Sequence, residues 1–201
     1  TSHKLDLAGV TATTGSKTTV NITDGVSTDG IEITTTASTV NVIDASTYLG
    51  NGVTITDRSS SATTITTNTG ADTIKMENAA DVIDAGSGTD TLKVSKTLIL
   101  GGLSVDLSST GDQITTFNGA SNAAVQKGFE NVDLSGIEGT FGAAITAKAT
   151  GSTITGTKNA DTITLGTSAS VKDDIVVKGA LETSAGLNDV EDIVTNFTVG
   201  A

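Results

Sequence analysis

The sequence predicts an all-β chain: a right-handed parallel β-roll or β-helix solenoid carrying one irregular insert. Three observations predict it. First, residues 67–93 divide into three nonapeptides, TNTGADTIK, MENAADVID and AGSGTDTLK. Each has a small residue fourth, Asp sixth and an aliphatic residue eighth, the signature of a nonapeptide β-helix repeat. Second, short alternating runs upstream carry apolar anchors at roughly ten-residue intervals, the length of one strand and one turn. Third, the 201 residues include 23 Gly, no Pro and only 2% aromatics, with abundant Thr and Ser. That composition suits repetitive Gly turns, Thr-rich strands and a core of Val, Ile, Leu and Ala.

Residues 1–66 are Thr-rich coils. Thr19-Val20-Asn21-Ile22-Thr23 alternates and turns at Asp24-Gly25, and Gly30-Ile31-Glu32-Ile33-Thr34 alternates again. Thr39-Val40-Asn41-Val42-Ile43-Asp44, Gly52-Val53-Thr54-Ile55-Thr56-Asp57 and Thr63-Thr64-Ile65-Thr66 follow, and VIDAS at 42–46 returns as VIDAG at 82–86. An antiparallel sandwich is the competing arrangement, since short alternating strands also permit it. In residues 67–93 the small residues allow a sharp turn and the x-aliphatic-x tripeptide a short strand. Two nonapeptides make one coil, so Asp72 and Asp90, eighteen apart, fall on one edge and Asp81 on the opposite one.

Residues 94–150 break the period. Leu98-Ile99-Leu100 and Gly101-Gly102 precede the alternating Leu103-Ser104-Val105-Asp106-Leu107. Residues 121–127 (SNAAVQK) are predicted to form a short helix or surface loop, and Phe129-Glu130-Asn131-Val132-Asp133-Leu134 a strand. Phe117, Phe129 and Phe141 are expected to plug a coil end or bend, because aromatics bury much area each; stacking on a sugar is their alternative use. Residues 151–201 resume the theme. Residues 156–164 are a fourth nonapeptide-like block, and ADTI occurs at 71–74 and 160–163. Asp174-Ile175-Val176 and Asp192-Ile193-Val194 are eighteen apart, which predicts the same two-block stacking. The four segments are expected to form one continuous solenoid, and the chain, starting and stopping in mid-pattern, to be a piece of a longer one.

Stacked strands lie about 4.8 Å apart. Two carboxylates at that spacing repel by about 1 kcal/mol in the dielectric of water and by several at an effective value near 20. A hard cation removes the repulsion, and Ca²⁺ accepts carboxylates and turn carbonyls in flexible geometry. The plainer reading is a row of turn aspartates in solvent. Asp161 is a candidate for a second calcium edge. Asp173, Asp174, Asp189 and Asp192 are weaker candidates, because the glycines that would shape their turns are missing.

There are 23 acidic against 11 basic side chains, a net charge of -12. That argues against nucleic acid and anionic membrane surfaces. Without Cys there is neither a disulfide nor thiolate chemistry, and no run of eighteen apolar residues suggests a membrane span. A catalytic reading finds little. His3 is the single His and is expected to be disordered near the terminus. A Ser-His-Asp triad then lacks its base. Asp81 and Asp84 could imitate a glycosidase pair, but they belong to a repeated turn without an aromatic platform. Arg58 is the single Arg, where a polysaccharide lyase would want a basic cleft. The chain is expected not to be an enzyme by itself. Thr ranks such as Ile33-Thr34-Thr35-Thr36 and Thr63-Thr64-Ile65-Thr66-Thr67 raise ice binding as a further use, though no strict Thr-x-Thr rank at coil spacing is visible.

Residues 67–93 resemble the RTX (repeats-in-toxin) nonapeptides of bacterial type I-secreted proteins. GFENVDLSG (128–136), TITGTKNADTI (153–163) and DIVTNF (192–197) follow in an order similar to large RTX surface proteins, including surface-layer proteins and adhesins. The resemblance implies a β-roll, calcium-driven folding outside the cell and type I export. By that match Gly70, Asp72, Gly88 and Asp90 are calcium positions with Asp81 opposite; Thr69, Gly86, Asn159 and Asp161 complete the candidate set. Met76-Glu77-Asn78-Ala79 departs from the pattern by lacking the usual glycines, so the middle site is expected to be weak or empty. The expected function is that of a structural calcium-binding module in a secreted bacterial surface-layer protein, self-associating at the cell surface, with outer-membrane polysaccharide as a further partner. The alternative is a calcium-stabilised export or folding module of a secreted adhesin or enzyme.

Overall fold

A computed structural model describes residues 3–7, 9, 16–23, 30–95, 101–168, 171–176 and 192–196. In chain order its strands are β1 (His3–Asp6), β2 (Thr18–Asn21), β3 (Ile31–Thr35), β4 (Val40–Asp44), β5 (Val53–Asp57), β6 (Thr64–Thr66), β7 (Thr73–Met76), β8 (Val82–Asp84) and β9 (Thr91–Val94). There follow β10 (Leu103–Asp106), β11 (Ile114–Phe117), β12 (Ala120–Ser121), β13 (Gln126–Lys127), β14 (Asn131–Asp133), β15 (Ala143–Thr146), β16 (Thr153–Thr155), β17 (Thr162–Thr164), β18 (Asp174–Val176) and β19 (Ile193–Thr195). Among the described residues there is no helix, and hence none long and apolar enough to cross a membrane.

Alternation decides which side of each strand faces in. In β5, Val53, Ile55 and Asp57 are buried while Thr54 and Thr56 face outward. Successive strands from β3 to β9 alternate between two sheets, so two strands make one coil. The first sheet runs β1-β3-β5-β7-β9-β14-β16-β18 and the second β2-β4-β6-β8-β13, every pair parallel. In-register pairing stacks Ile33, Ile55, Ile74, Leu92, Val132 and Ile154 in one inner column. Ile43, Ile65 and Ile83 make the facing column. All are buried in one continuous core. The solenoid, not the antiparallel sandwich, is the architecture, and its first sheet crosses all four sequence segments.

The insert changes the second face. β10 opens a third sheet, ordered β12-β11-β10-β15-β17-β19. Its β10, β15, β17 and β19 are parallel, and β11 and β12 add an antiparallel hairpin at its edge. β13 then returns to cap the second sheet against β8, and β14 rejoins the first against β9. Two buried glutamines stitch this junction. The side chain of Gln113 donates to the Phe129 carbonyl and accepts from the Phe129 N–H, both at 2.9 Å, as a neighbouring strand would. Gln126 donates through its side-chain amide to the Asp81 carbonyl, and its own backbone carbonyl accepts from the Gln113 N–H at 2.7 Å.

Several expectations are corrected. Of the two readings of residues 121–127 the loop holds and the helix does not: they run from the end of β12 through a loop into β13. Phe117 and Phe129 are buried at the junction, but Phe141 is 49% exposed on a turn and plugs nothing. Asp174 and Asp192 do not stack despite their spacing: β18 lies in the first sheet and β19 in the third. His3 is in β1, exposed, its N–H donating to the Gly30 carbonyl at 3.0 Å. Asp24-Gly25, Leu98-Ile99-Leu100, Asp189 and Phe197 lie outside the described residues.

Candidate metal centre

In the first coils the N–H that opens a strand is taken by a backbone carbonyl of the next coil, as that of Ile31 is by Gly52 at 3.3 Å, but from β5 onward several such N–H groups meet a turn instead. An aspartate one residue before the next strand fills that gap. Asp72 Oδ1 accepts from the Val53 N–H at 2.7 Å, and Asp90 Oδ1 from the Asp72 N–H at 2.8 Å. On the second sheet Asp81 Oδ1 accepts from the Thr63 N–H at 2.9 Å, and on the third Asp161 Oδ1 from the Ala143 N–H at 2.7 Å. Asp192 and Asp173 repeat the contact on Asp161 and Ser152. Where the insert interrupts the spacing, the longer Glu130 substitutes: its Oε2 accepts from the Asp90 N–H at 2.9 Å, while Oε1 pairs with Lys148 at 2.6 Å.

The second carboxylate oxygen separates these residues. In Asp161 it accepts from the Thr157 N–H at 2.7 Å, and Oδ1 also takes the Thr157 hydroxyl at 2.8 Å. In Asp173 it accepts from the Gly166 N–H. In Asp72, Asp81 and Asp90, and in Asp57, Oδ2 is buried with no protein partner. These four side chains are at most 1% exposed. Burial pushes the Asp81 and Asp90 carboxyls up to about 7, and neighbouring carboxylates add to the shift, Asp57 on Asp81 and Asp72 with Glu130 on Asp90. Burial also raises Asp57 and Asp161. A buried carboxyl with an unused oxygen must take a proton or a cation.

Asp72 and Asp90 are adjacent rungs of one edge. The turns ahead of them stack backbone on backbone, and only glycine fits. A Cβ on Gly70 would come within 2.8 Å of the Gly52 Cα. Gly86 has φ +79° and Gly88 φ +155°, and a Cβ on either would overlap the carbonyl of Asn68 or Gly70. The candidate residues Thr69, Gly70, Gly86 and Gly88 thus belong to this same stack, with Thr69 facing solvent. Asp81 stands on the second sheet's edge, away from them. Asn159 and Asp161 are on the third sheet's edge, where Asn159 Nδ2 donates to the Gly139 carbonyl at 2.9 Å. Among the described residues no three acidic, His or Cys side chains gather around one point, so an ion here would draw on carboxylate oxygens in ones and twos together with turn carbonyls. An oxygen-only donor set is that of a hard cation. Asp84 does not share a cleft with Asp81: it faces outward, paired with Lys127 at 2.9 Å, while Asp81 is fully buried.

Asp57 and Glu130 were not among the residues expected at a site. The alternation Val53-Thr54-Ile55-Thr56-Asp57 already places Asp57 indoors; nothing in the sequence marks Glu130 as a ladder rung. Comparison with family models, with curated proteins and with solved structures finds no match.

Proposed function

We propose that this chain is a structural calcium-binding module of a secreted bacterial surface protein, of the surface-layer kind, in which bound Ca²⁺ locks successive coils together and permits self-association. The observation that carries the reading is the pair of buried, unpartnered Oδ2 atoms of Asp72 and Asp90 on one edge. Without a counter-ion, adjacent carboxylates at coil spacing repel by several kcal/mol at an effective dielectric near 20. A divalent cation taken by Asp72 and Asp90 reverses the sign of that interaction and ties the coil of β7 to that of β9. The glycine turns beside them bring coils close enough for carbonyls to share in the shell. The net charge of -12 keeps copies apart until cations screen or bridge it. Extracellular modules bind Ca²⁺ at roughly 10⁻⁴–10⁻³ M, so the chain would be marginally stable inside a cell and firmly ordered outside it. RTX-type export, a bacterial cell-surface location and contact with outer-membrane polysaccharide belong to the same proposal.

Circular dichroism and sedimentation velocity in chelator and in millimolar Ca²⁺ test it, on the wild type and on Asp72→Asn/Asp90→Asn. Calcium is expected to raise the ordered content and melting temperature of the wild type and its sedimentation coefficient, and the double variant to lose most of these responses. Ordering without assembly would favour the export-module alternative. A wild type equally folded in chelator and binding no Ca²⁺ would remove the proposal.

A further inference from the structure

The second sheet's edge carries a different pair of carboxylates. Thr63 stands eighteen residues before Asp81, where the repeat on the other edge has Asp72 before Asp90. That edge therefore lacks the carboxylate the repeat would supply. Asp57 brings one from the core. Register puts it beside Thr35, and the same inner column continues with Met76 and Val94 in the next coils. Its Oδ1 accepts from the Ser59 N–H at 2.7 Å, and its charge acts on Asp81. The Thr63 hydroxyl lies close enough to favour ionised Asp57 and donates to the Val40 and Ser61 carbonyls at 3.5 Å. Asp81 reaches Thr63 from the next coil, through the backbone N–H. Both carboxylates thus neighbour Thr63, both are at most 1% exposed, and each keeps a buried Oδ2 with no partner. The nearby basic groups are engaged with Glu77, Lys75 at 3.8 Å and Arg58 at 4.0 Å. Glu77 itself adds negative charge toward Asp57. Two buried carboxylates with no countercharge are strongly unfavourable.

We propose that Asp57 and Asp81 hold a hard divalent cation of the calcium class inside this corner, beside Thr63. It takes the same ion as the Asp72–Asp90 edge but shares no residue with it, so each site can fail without the other.

The test counts Ca²⁺ bound at neutral pH by equilibrium dialysis of the full chain, in wild type, Asp57→Asn, Asp57→Met and Asp72→Asn/Asp90→Asn. Methionine is the residue the next coil uses in the same column, so Asp57→Met is expected to fold. Either Asp57 variant is expected to bind one ion fewer than wild type while keeping those the double variant loses. In the wild type, ¹³C carboxyl resonances of Asp57 and Asp81 are expected to move on addition of Ca²⁺. Unchanged stoichiometry in a folded Asp57 variant would overturn the proposal. So would Asp57 and Asp81 resonances that titrate with pH but ignore Ca²⁺, which would mean a shared proton. A wild type that binds ions only at Asp72 and Asp90 would remove this site and leave the other; one that binds none would remove both.

Discussion

Asp90 and Asp161 occupy the same position before a strand and make the same bond to the preceding coil, yet only Asp161 has its second oxygen occupied. Thr157, four residues earlier, makes the difference; Asp72, Asp81 and Asp90 have Asn68, Glu77 and Gly86 there. Asp161→Ala therefore removes two backbone donors' acceptor and a hydroxyl's. Each buried donor left without a partner costs roughly 1–3 kcal/mol, so with two backbone N–H groups stranded the variant is expected to lose about 2–6 kcal/mol in urea unfolding, equally with and without calcium. Asp90→Asn keeps an acceptor for the Asp72 N–H but removes a charge the fold buries unpaired. In chelator it is expected to be at least as stable as the wild type, and thermal unfolding in Ca²⁺ should show that it has lost most of the calcium-induced rise. The ladder residues at 72, 81 and 90 were legible in the sequence because their spacing is strict. The satisfied state of Asp161 was legible only through the Thr four positions before it. Glu130 was not legible, because forty residues separate it from the rung it serves.

Strands and coils followed from local alternation: a period of two with one buried face fixes both the strand and its inner residues. The third sheet did not, because it depends on pairings across the insert, β10 with β11 and with β15, and the junction beside it depends on side chains standing in for backbone. Gln113 is the clearest case. Gln113→Leu fills similar space but leaves the Phe129 N–H and carbonyl without their partners. Each buried polar group so stranded costs about 1–3 kcal/mol, and hydrogen exchange at Phe129 is expected to accelerate before that of β3 or β5. The turn stack gives a second element-level expectation. Gly86 combines φ +79° with a Cβ position already filled by the Asn68 carbonyl. Gly86→Ala is expected to cost about 1–3 kcal/mol of backbone strain and to weaken calcium's effect on stability, measured as the denaturation midpoint in chelator and in Ca²⁺. Asp57→Ala at the facing edge, by contrast, should leave that turn's response intact.

For the whole molecule, proton and cation compete for the same buried oxygens, and the sign of the pH dependence follows. Asp81 and Asp90 sit near 7 in the folded chain, raised chiefly by burial, whereas an unfolded carboxyl titrates near 4. Between about pH 4 and pH 7 the folded chain holds protons that the unfolded chain has released. Their stabilising contribution is complete below about pH 4 and is lost as pH rises to about 7, at up to about 1.4 kcal/mol per pH unit for each group. Asp57 and Asp161 shift in the same direction. In chelator, the melting temperature is therefore expected to fall steadily over this range. Self-repulsion of the net charge of -12 has the same sign, but salt screens it, while the buried groups keep their slope in high salt. Calcium displaces the protons, so its stabilisation is expected to be greatest above about pH 7 and to vanish toward pH 4, where the two melting curves meet. Asp81→Asn with Asp90→Asn should flatten the chelator curve. A melting temperature in chelator that rises with pH would mean that these carboxylates are already ionised and paired without metal, and would remove the reason for a cation on either edge.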